Sequence, residues 1–178
     1  MPTENQRASK FRSDLQSIYG RDIHVQNLID SQRGQSKPYD SYVVYEGKMI
    51  GIEFKRVTGQ SINGNIMRDC QVKGLQEVAH NGYSGLIIIF LDHANWQNKK
   101  LFCMPIFKFL KVFRGVHVGG GVHEWGPAIK IKELEEKCPE YFILKSKQDC
   151  FVKVRNAFEL SKRLHWNFSD FLNLDIFR

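Results

Sequence analysis

Asp40-Ser-Tyr-Val-Val-Tyr-Glu-Gly-Lys-Met-Ile-Gly-Ile-Glu-Phe-Lys55 is the stretch on which the fold turns. Its two halves, 40–45 and 48–55, are rich in aromatic and β-branched residues, the composition of strands. Glu46-Gly47 separates them as a two-residue turn, with Gly47 supplying the positive φ that a tight hairpin requires. A turn centred on 46 and 47 puts Asp40 opposite Glu53, with Cβ atoms roughly 5 Å apart. Glu53 and Lys55 are two apart and share one face, while Ile52 and Phe54 point the other way into a core. Two carboxylates and an ammonium therefore converge on one side of the hairpin.

Working outward, Thr3 and Gln6 form a capping box for a helix that buries Ala8, Phe11, Leu15 and Ile18 and stops at Gly20. Arg7, Lys10 and Arg12 give that helix a basic outer face. Residues 23–38 are irregular and end in a polar loop, and 58–68 read as a second loop. Asp69 caps a helix with Val72, Leu75, Val78 and Ala79 inward, ended by Asn81-Gly82. Gly85–Leu91 is a fully buried strand and Lys100–Met104 another; Pro105 begins a short helix. The glycine-rich 115–127 reads as a mobile loop, in which His117, His123 and Glu124 are a weak alternative metal set. Ile131–Lys137 is a short helix, Tyr141–Leu144 a short strand, and Val154–Leu164 a basic amphipathic helix. An antiparallel hairpin followed by strand–helix–strand predicts an α/β fold, a mixed central sheet flanked by helices. The expected organisation is one core domain over 1–144, with 145–178 a basic helix and an aromatic extension packed on it.

The chain has 178 residues, 42% hydrophobic and 25% charged, enough for one buried core. Its net charge of +7 favours a polyanionic partner, nucleic acid or an anionic membrane. No apolar run approaches the roughly 18 residues of a membrane span, and Met1–Arg7 lacks the apolar core of a signal peptide. Cys70, Cys103, Cys138 and Cys150 form no C-x-x-C pair and are expected reduced. A cytoplasmic location, in a bacterial or phage-infected cell, is the expectation.

Two close carboxylates repel unless a cation lies between them, and oxygen ligands favour Mg²⁺, with Mn²⁺ able to substitute. Such an ion polarises a phosphoryl oxygen, and Lys55 beside it can orient water or stabilise charge on phosphorus. Asp40 and Glu53 are the candidate metal ligands, and phosphodiester hydrolysis is the chemistry. The competing reading of Glu-x-Lys is a solvent-facing strand whose charges keep that face wet. Candidate DNA contacts are Arg7, Lys10, Lys37, Arg56, Lys73, Lys153, Arg155, Lys162 and Arg163.

Lys37-Pro38-Tyr39-Asp40, followed by Glu53-Phe54-Lys55, resembles the PD-(D/E)xK nuclease superfamily, with the proline one place earlier than its usual position. Within it, the segment from Asp40 to Lys55 is similar to RecU-type Holliday junction resolvases. So are Cys70-Gln-Val-Lys-Gly-Leu75, Asn81-Gly-Tyr-Ser-Gly-Leu-Ile-Ile-Ile-Phe90 and Ile129-Lys-Ile-Lys-Glu-Leu-Glu-Glu136. The resemblance spans 38–144 and implies a restriction-endonuclease-like core. It adds Gln71 to the catalytic set, placing the attacking water or completing a metal shell. It further implies Mg²⁺-dependent cleavage of branched or four-way DNA by a homodimer in recombination or repair. Two features depart from the family: about 20 residues between the first helix and Asp40 are too few for its stalk, and a C-terminal extension is added. A type II restriction endonuclease and a non-catalytic DNA-binding protein are the alternatives.

Overall fold

The computed structural model describes residues 2–29, 37–93, 100–118, 121–154, 157–166 and 168, with side chains at 118, 123, 146–154 and 157–165 left undescribed. Helix α1 (Glu4–Tyr19) starts at the Thr3–Gln6 capping box and ends at Gly20. The strands β1 (Ile23–Asn27), β2 (Ser41–Tyr45) and β3 (Lys48–Val57) follow, then a short β4 (Ser61–Ile62). Helix α2 (Asp69–His80) precedes β5 (Ser84–Leu91) and β6 (Lys100–Pro105). Next come α3 (Ile106–Val112), the hairpin β7 (Val116–Val118) and β8 (Gly121–Glu124), β9 (Ile129–Lys130) and α4 (Ile131–Lys137). The long strands β10 (Phe142–Val154) and β11 (Ala157–Trp166) are the last strands among the described residues.

Seven strands form one mixed sheet in the order β1-β2-β3-β5-β6-β10-β11. Only β3 and β5 run parallel, joined by α2 as the crossover; the other neighbours are antiparallel. The β2–β3 hairpin pairs Tyr45 with Lys48 and Ser41 with Ile52, the register expected for a turn on 46 and 47. Both turn residues have positive φ, 49° at Glu46 and 74° at Gly47, a conformation that glycine adopts freely and glutamate does not.

Alternation along β3 sorts its side chains between two cores. Ile50, Ile52 and Phe54 pack with Leu86, Ile88 and Phe90 beneath Phe11 and Leu15 of α1. Val57 joins Ile87, Ile89 and Leu91 beneath α2, α3 and α4. The central strands are covered on both faces, which is why Gly85–Leu91 reads as an unbroken apolar run. No helix among the described residues is long and apolar enough to cross a membrane.

Several expectations are corrected. Val154–Leu164 is not a helix: β11 pairs antiparallel with β10 from Lys145↔Trp166 to Val154↔Ala157. Phe158, Leu160, Leu164 and Trp166 carry a period of two that competes with the helical spacing, and pairing with β10 selects it. The strand expected to end at Leu144 runs on to Val154. Within 115–127, β7 and β8 form a hairpin instead of a loop, and residues 23–27 form the edge strand β1. The 58–68 loop contains β4, paired with β9. Asp69 is the first helical residue of α2, not its cap, and its carboxylate accepts from Val122 N–H at 3.1 Å. Cys70, Cys103 and Cys138 are free thiols. Phe168 is fully buried edge-on against Phe11, centroids 5.0 Å apart; residues 169–178 lie outside those described.

Candidate active site

Asp40 does not continue the ladder opposite Glu53: β2 begins at Ser41, which pairs with Ile52, and the Asp40 N–H donates to the carbonyl of the same Ile52 at 3.0 Å. Its Oδ2 accepts from the Phe54 N–H at 2.9 Å, and its Oδ1 pairs with Lys37 Nζ at 2.7 Å. The backbone of the strand that carries Glu53 and Lys55 thus holds the Asp40 side chain directly.

Glu53 is 1% exposed, so the reading of a wetted strand face fails. Its Oε1 accepts from Lys55 Nζ at 2.6 Å and from Gln71 Nε2. Gln71 is also buried, and its own Oε1 accepts from the Arg68 N–H at 3.0 Å, fixing the amide at the start of α2. Close packing brings that helix in. A Cβ on Gly74 would stand 2.4 Å from Pro38 Cβ and 2.7 Å from its carbonyl oxygen, so only glycine lets α2 meet the segment leading to Asp40. Asp40, Glu53, Lys55 and Gln71 are therefore brought together, by two strands and one helix.

The electrostatics follow from burial. Desolvation pushes the Glu53 carboxyl up to about 7; Asp40 adds to the rise, and Lys55 and Lys37 oppose it. The other Glu53 oxygen, Oε2, is buried with no hydrogen-bond partner among the described residues. An oxygen in that state costs free energy unless a proton or cation meets it. Among the described residues no three His, Cys, Asp or Glu side chains converge as a complete cage. Mg²⁺ suits such a site, because it binds through one or two carboxylates and retains several waters. The bare Glu53 oxygen and the neighbouring Asp40 fit a hard divalent ion on this ground.

No protein-family model matches the sequence, and no curated protein does. Among solved structures, the chain is similar to Hjc, a Holliday junction resolvase from the archaeal hyperthermophile Archaeoglobus fulgidus. Identity is 12% and the TM-score 0.41, over 70% of this chain and 88% of that one.

Sequence reasoning missed two acidic residues near this group. Glu4, in the first turn of α1, accepts from the Arg56 N–H and feels the charges of Lys55, Asp40 and Lys37; burial, the largest influence, raises its pKa. In sequence it looks like an ordinary acid at a helix N-terminus, and no local signal brings it to the hairpin. Asp92, 3% exposed, closes β5 and pairs with both Arg7 and Arg56. An acid directly after an all-apolar strand was the available signal.

The expected DNA contacts scatter. Arg7 is spent on Asp92 with its side chain 11% exposed, whereas Lys10 is solvent-facing and paired with Asp14 at 2.7 Å. Lys37 pairs with Asp40, Arg56 shares Asp92 with Arg7, and Lys73 is exposed on α2. Lys153, Lys162 and Arg163 sit on the β10–β11 hairpin, and Arg155 lies outside the described residues.

Proposed function

We propose that this chain is a divalent-metal-dependent DNA endonuclease with Asp40, Glu53, Lys55 and Gln71 as its active site. The observation that carries the reading is Glu53: a buried carboxylate with one bare oxygen, beside a second carboxylate and an ammonium. Asp40 and Glu53 would hold Mg²⁺, or Mn²⁺ in its place; Arg7 and Asp92 serve the scaffold instead. The ion, when bound, polarises a phosphoryl oxygen and lowers the pKa of a coordinated water.

The chain's own groups do the rest. Lys55, tied to Glu53 and 13% exposed at its side chain, holds a positive charge where negative charge grows on the phosphoryl oxygens. Gln71 pins the Glu53 carboxylate through Oε1, so that Oε2 would be the oxygen available to hold a divalent ion. Water's oxygen bonds to phosphorus and the bond to the leaving sugar oxygen breaks; the proton lost by water passes to solvent, and the departing sugar oxygen takes up a proton from solvent to leave as a hydroxyl.

The favoured substrate is a four-way junction cut by a homodimer, on the RecU-like sequence pattern from Asp40 to Lys55 and the net charge of +7. A two-fold junction presents two equivalent phosphates to two dyad-related sites. Bending a short duplex to reach both costs on the order of 1–6 kcal/mol, enough for about a tenfold preference for the junction. The test incubates the protein with a synthetic junction and with linear duplexes of the same arms, in Mg²⁺, Ca²⁺ or EDTA. Nicking of the junction in Mg²⁺ alone is expected. Cleavage in excess EDTA overturns the mechanism, and discrete bands from linear genomic DNA indicate a restriction-type enzyme instead.

A further inference from the structure

We propose that the cleft between the first half of α1 and the end of β1 binds a backbone phosphate flanking the scissile one, with Arg12 and Lys37 as its cations. This deepens the nuclease reading and rests on it. The cleft encloses about 420 Å³ and opens beside Asp40. Its size is that of a ligand site, and its openness to solvent suits a polymer that passes through.

Arg12 is built into the wall. One N–H donates to Ser41 Oγ at 3.1 Å, and the guanidinium lies over the Phe54 ring, 5.7 Å from its centroid. The guanidinium also feels the charge of Asp40, and its planar fork of donors matches a phosphate's geometry. The same Phe54 donates its N–H to Asp40, so the cleft and the catalytic carboxylate share one residue of β3. Lys37 supplies a second cation across the cleft, and its partner Asp40 is the one carboxylate in the lining.

The remaining surface suits a nucleotide better than a free anion. Asn5, Ser9 and Asn27 are exposed neutral groups able to donate to phosphate or sugar oxygens. Ile29, 84% exposed, gives the rim an apolar surface for a sugar or base face. Two cations, three neutral donors and one apolar contact describe a strand-binding subsite next to the cleavage position.

The experiment measures binding of a fluorescent four-way junction in Ca²⁺, comparing wild type with Arg12→Gln and with Ser9→Asp. Arg12→Gln is expected to weaken binding about tenfold at low salt. The slope of log Kd against log salt should fall by roughly 0.9, the signature of one lost phosphate contact. Ser9 is exposed, so Ser9→Asp leaves the fold intact and tests the cleft even if Arg12→Gln does not fold; it should weaken binding similarly. Substrates with one neutral methylphosphonate, moved along the cut strand, locate the contact. Wild type should lose affinity at a single position near the cut, and a folded Arg12→Gln should lose nothing further there.

Wild type that cuts DNA while Arg12→Gln and Ser9→Asp bind with full affinity overturns the subsite and keeps the nuclease. Equal losses at every methylphosphonate position do the same. A wild type that binds through an Arg12-dependent phosphate but never cuts keeps the subsite and overturns the nuclease. No binding to any DNA overturns both.

Discussion

Replacing Glu53 by Gln should stabilise the metal-free protein while abolishing its activity. The Glu53 carboxyl is 1% exposed and its pKa rises from the ordinary 4.5 to about 7. The folded state therefore holds this proton more tightly than the unfolded chain. Stability from the group is fully present below about pH 4.5 and is lost as pH climbs through about 7. Across that interval the loss accumulates to about 3 kcal/mol. Gln mimics the protonated acid, in which Lys55 equally lacks a counter-charge, so no separate correction for the ion pair is needed. Glu53→Gln should match wild type near pH 4 and exceed it by about 3 kcal/mol at pH 8 in EDTA. For a chain of this size that is roughly 6–12 °C in Tm. The assay is thermal or urea unfolding of both proteins in EDTA, from pH 4 to 8.5, with the difference plotted against pH. Mg²⁺ should then raise wild type but not the variant, because binding only to the folded state stabilises it. A gap independent of pH, or a variant less stable than wild type at pH 8, would refute the account of a desolvated Glu53.

Asp40→Asn should keep the bond from the Phe54 N–H yet lose cleavage, with junction binding near normal; retained cleavage in Mg²⁺ would remove Asp40 from the site. Lys55→Ala should lose at least tenfold in kcat with metal binding intact by calorimetry, since the charge that meets the developing anion is gone. Asp92→Ala leaves Arg7 and Arg56 without their shared buried carboxylate and should cost about 3–5 kcal/mol in urea unfolding. Gly74→Ala sets two effects against each other: alanine favours helix by about 1 kcal/mol, but its Cβ would stand 2.4 Å from Pro38. The clash should win, with a net loss of about 1–3 kcal/mol and reduced activity; a stabilised protein would show that Pro38 moves freely.

The parts that sequence alone determined are those set by neighbours along the chain. The Glu46-Gly47 turn fixes which residues of β2 and β3 meet, from Tyr45↔Lys48 to Ser41↔Ile52, because a two-residue hairpin leaves one register. The Thr3–Gln6 capping box likewise starts α1, and the bounds of α4 follow from its apolar spacing. Gln71 was legible only through resemblance, since nothing local distinguishes it from any polar residue in a first helical turn. Tertiary structure decided the rest. Val154–Leu164 admitted two periods, and only pairing with a distant stretch of β10 chose strand over helix. Glu4 and Asp92 reach the hairpin because α1 and the end of β5 pack there, and no spacing in sequence encodes that approach. The burial of Glu53 is also tertiary. A carboxylate on a strand is ordinary until α2 closes over it, and that loss of water raises its pKa and leaves one oxygen open to an ion.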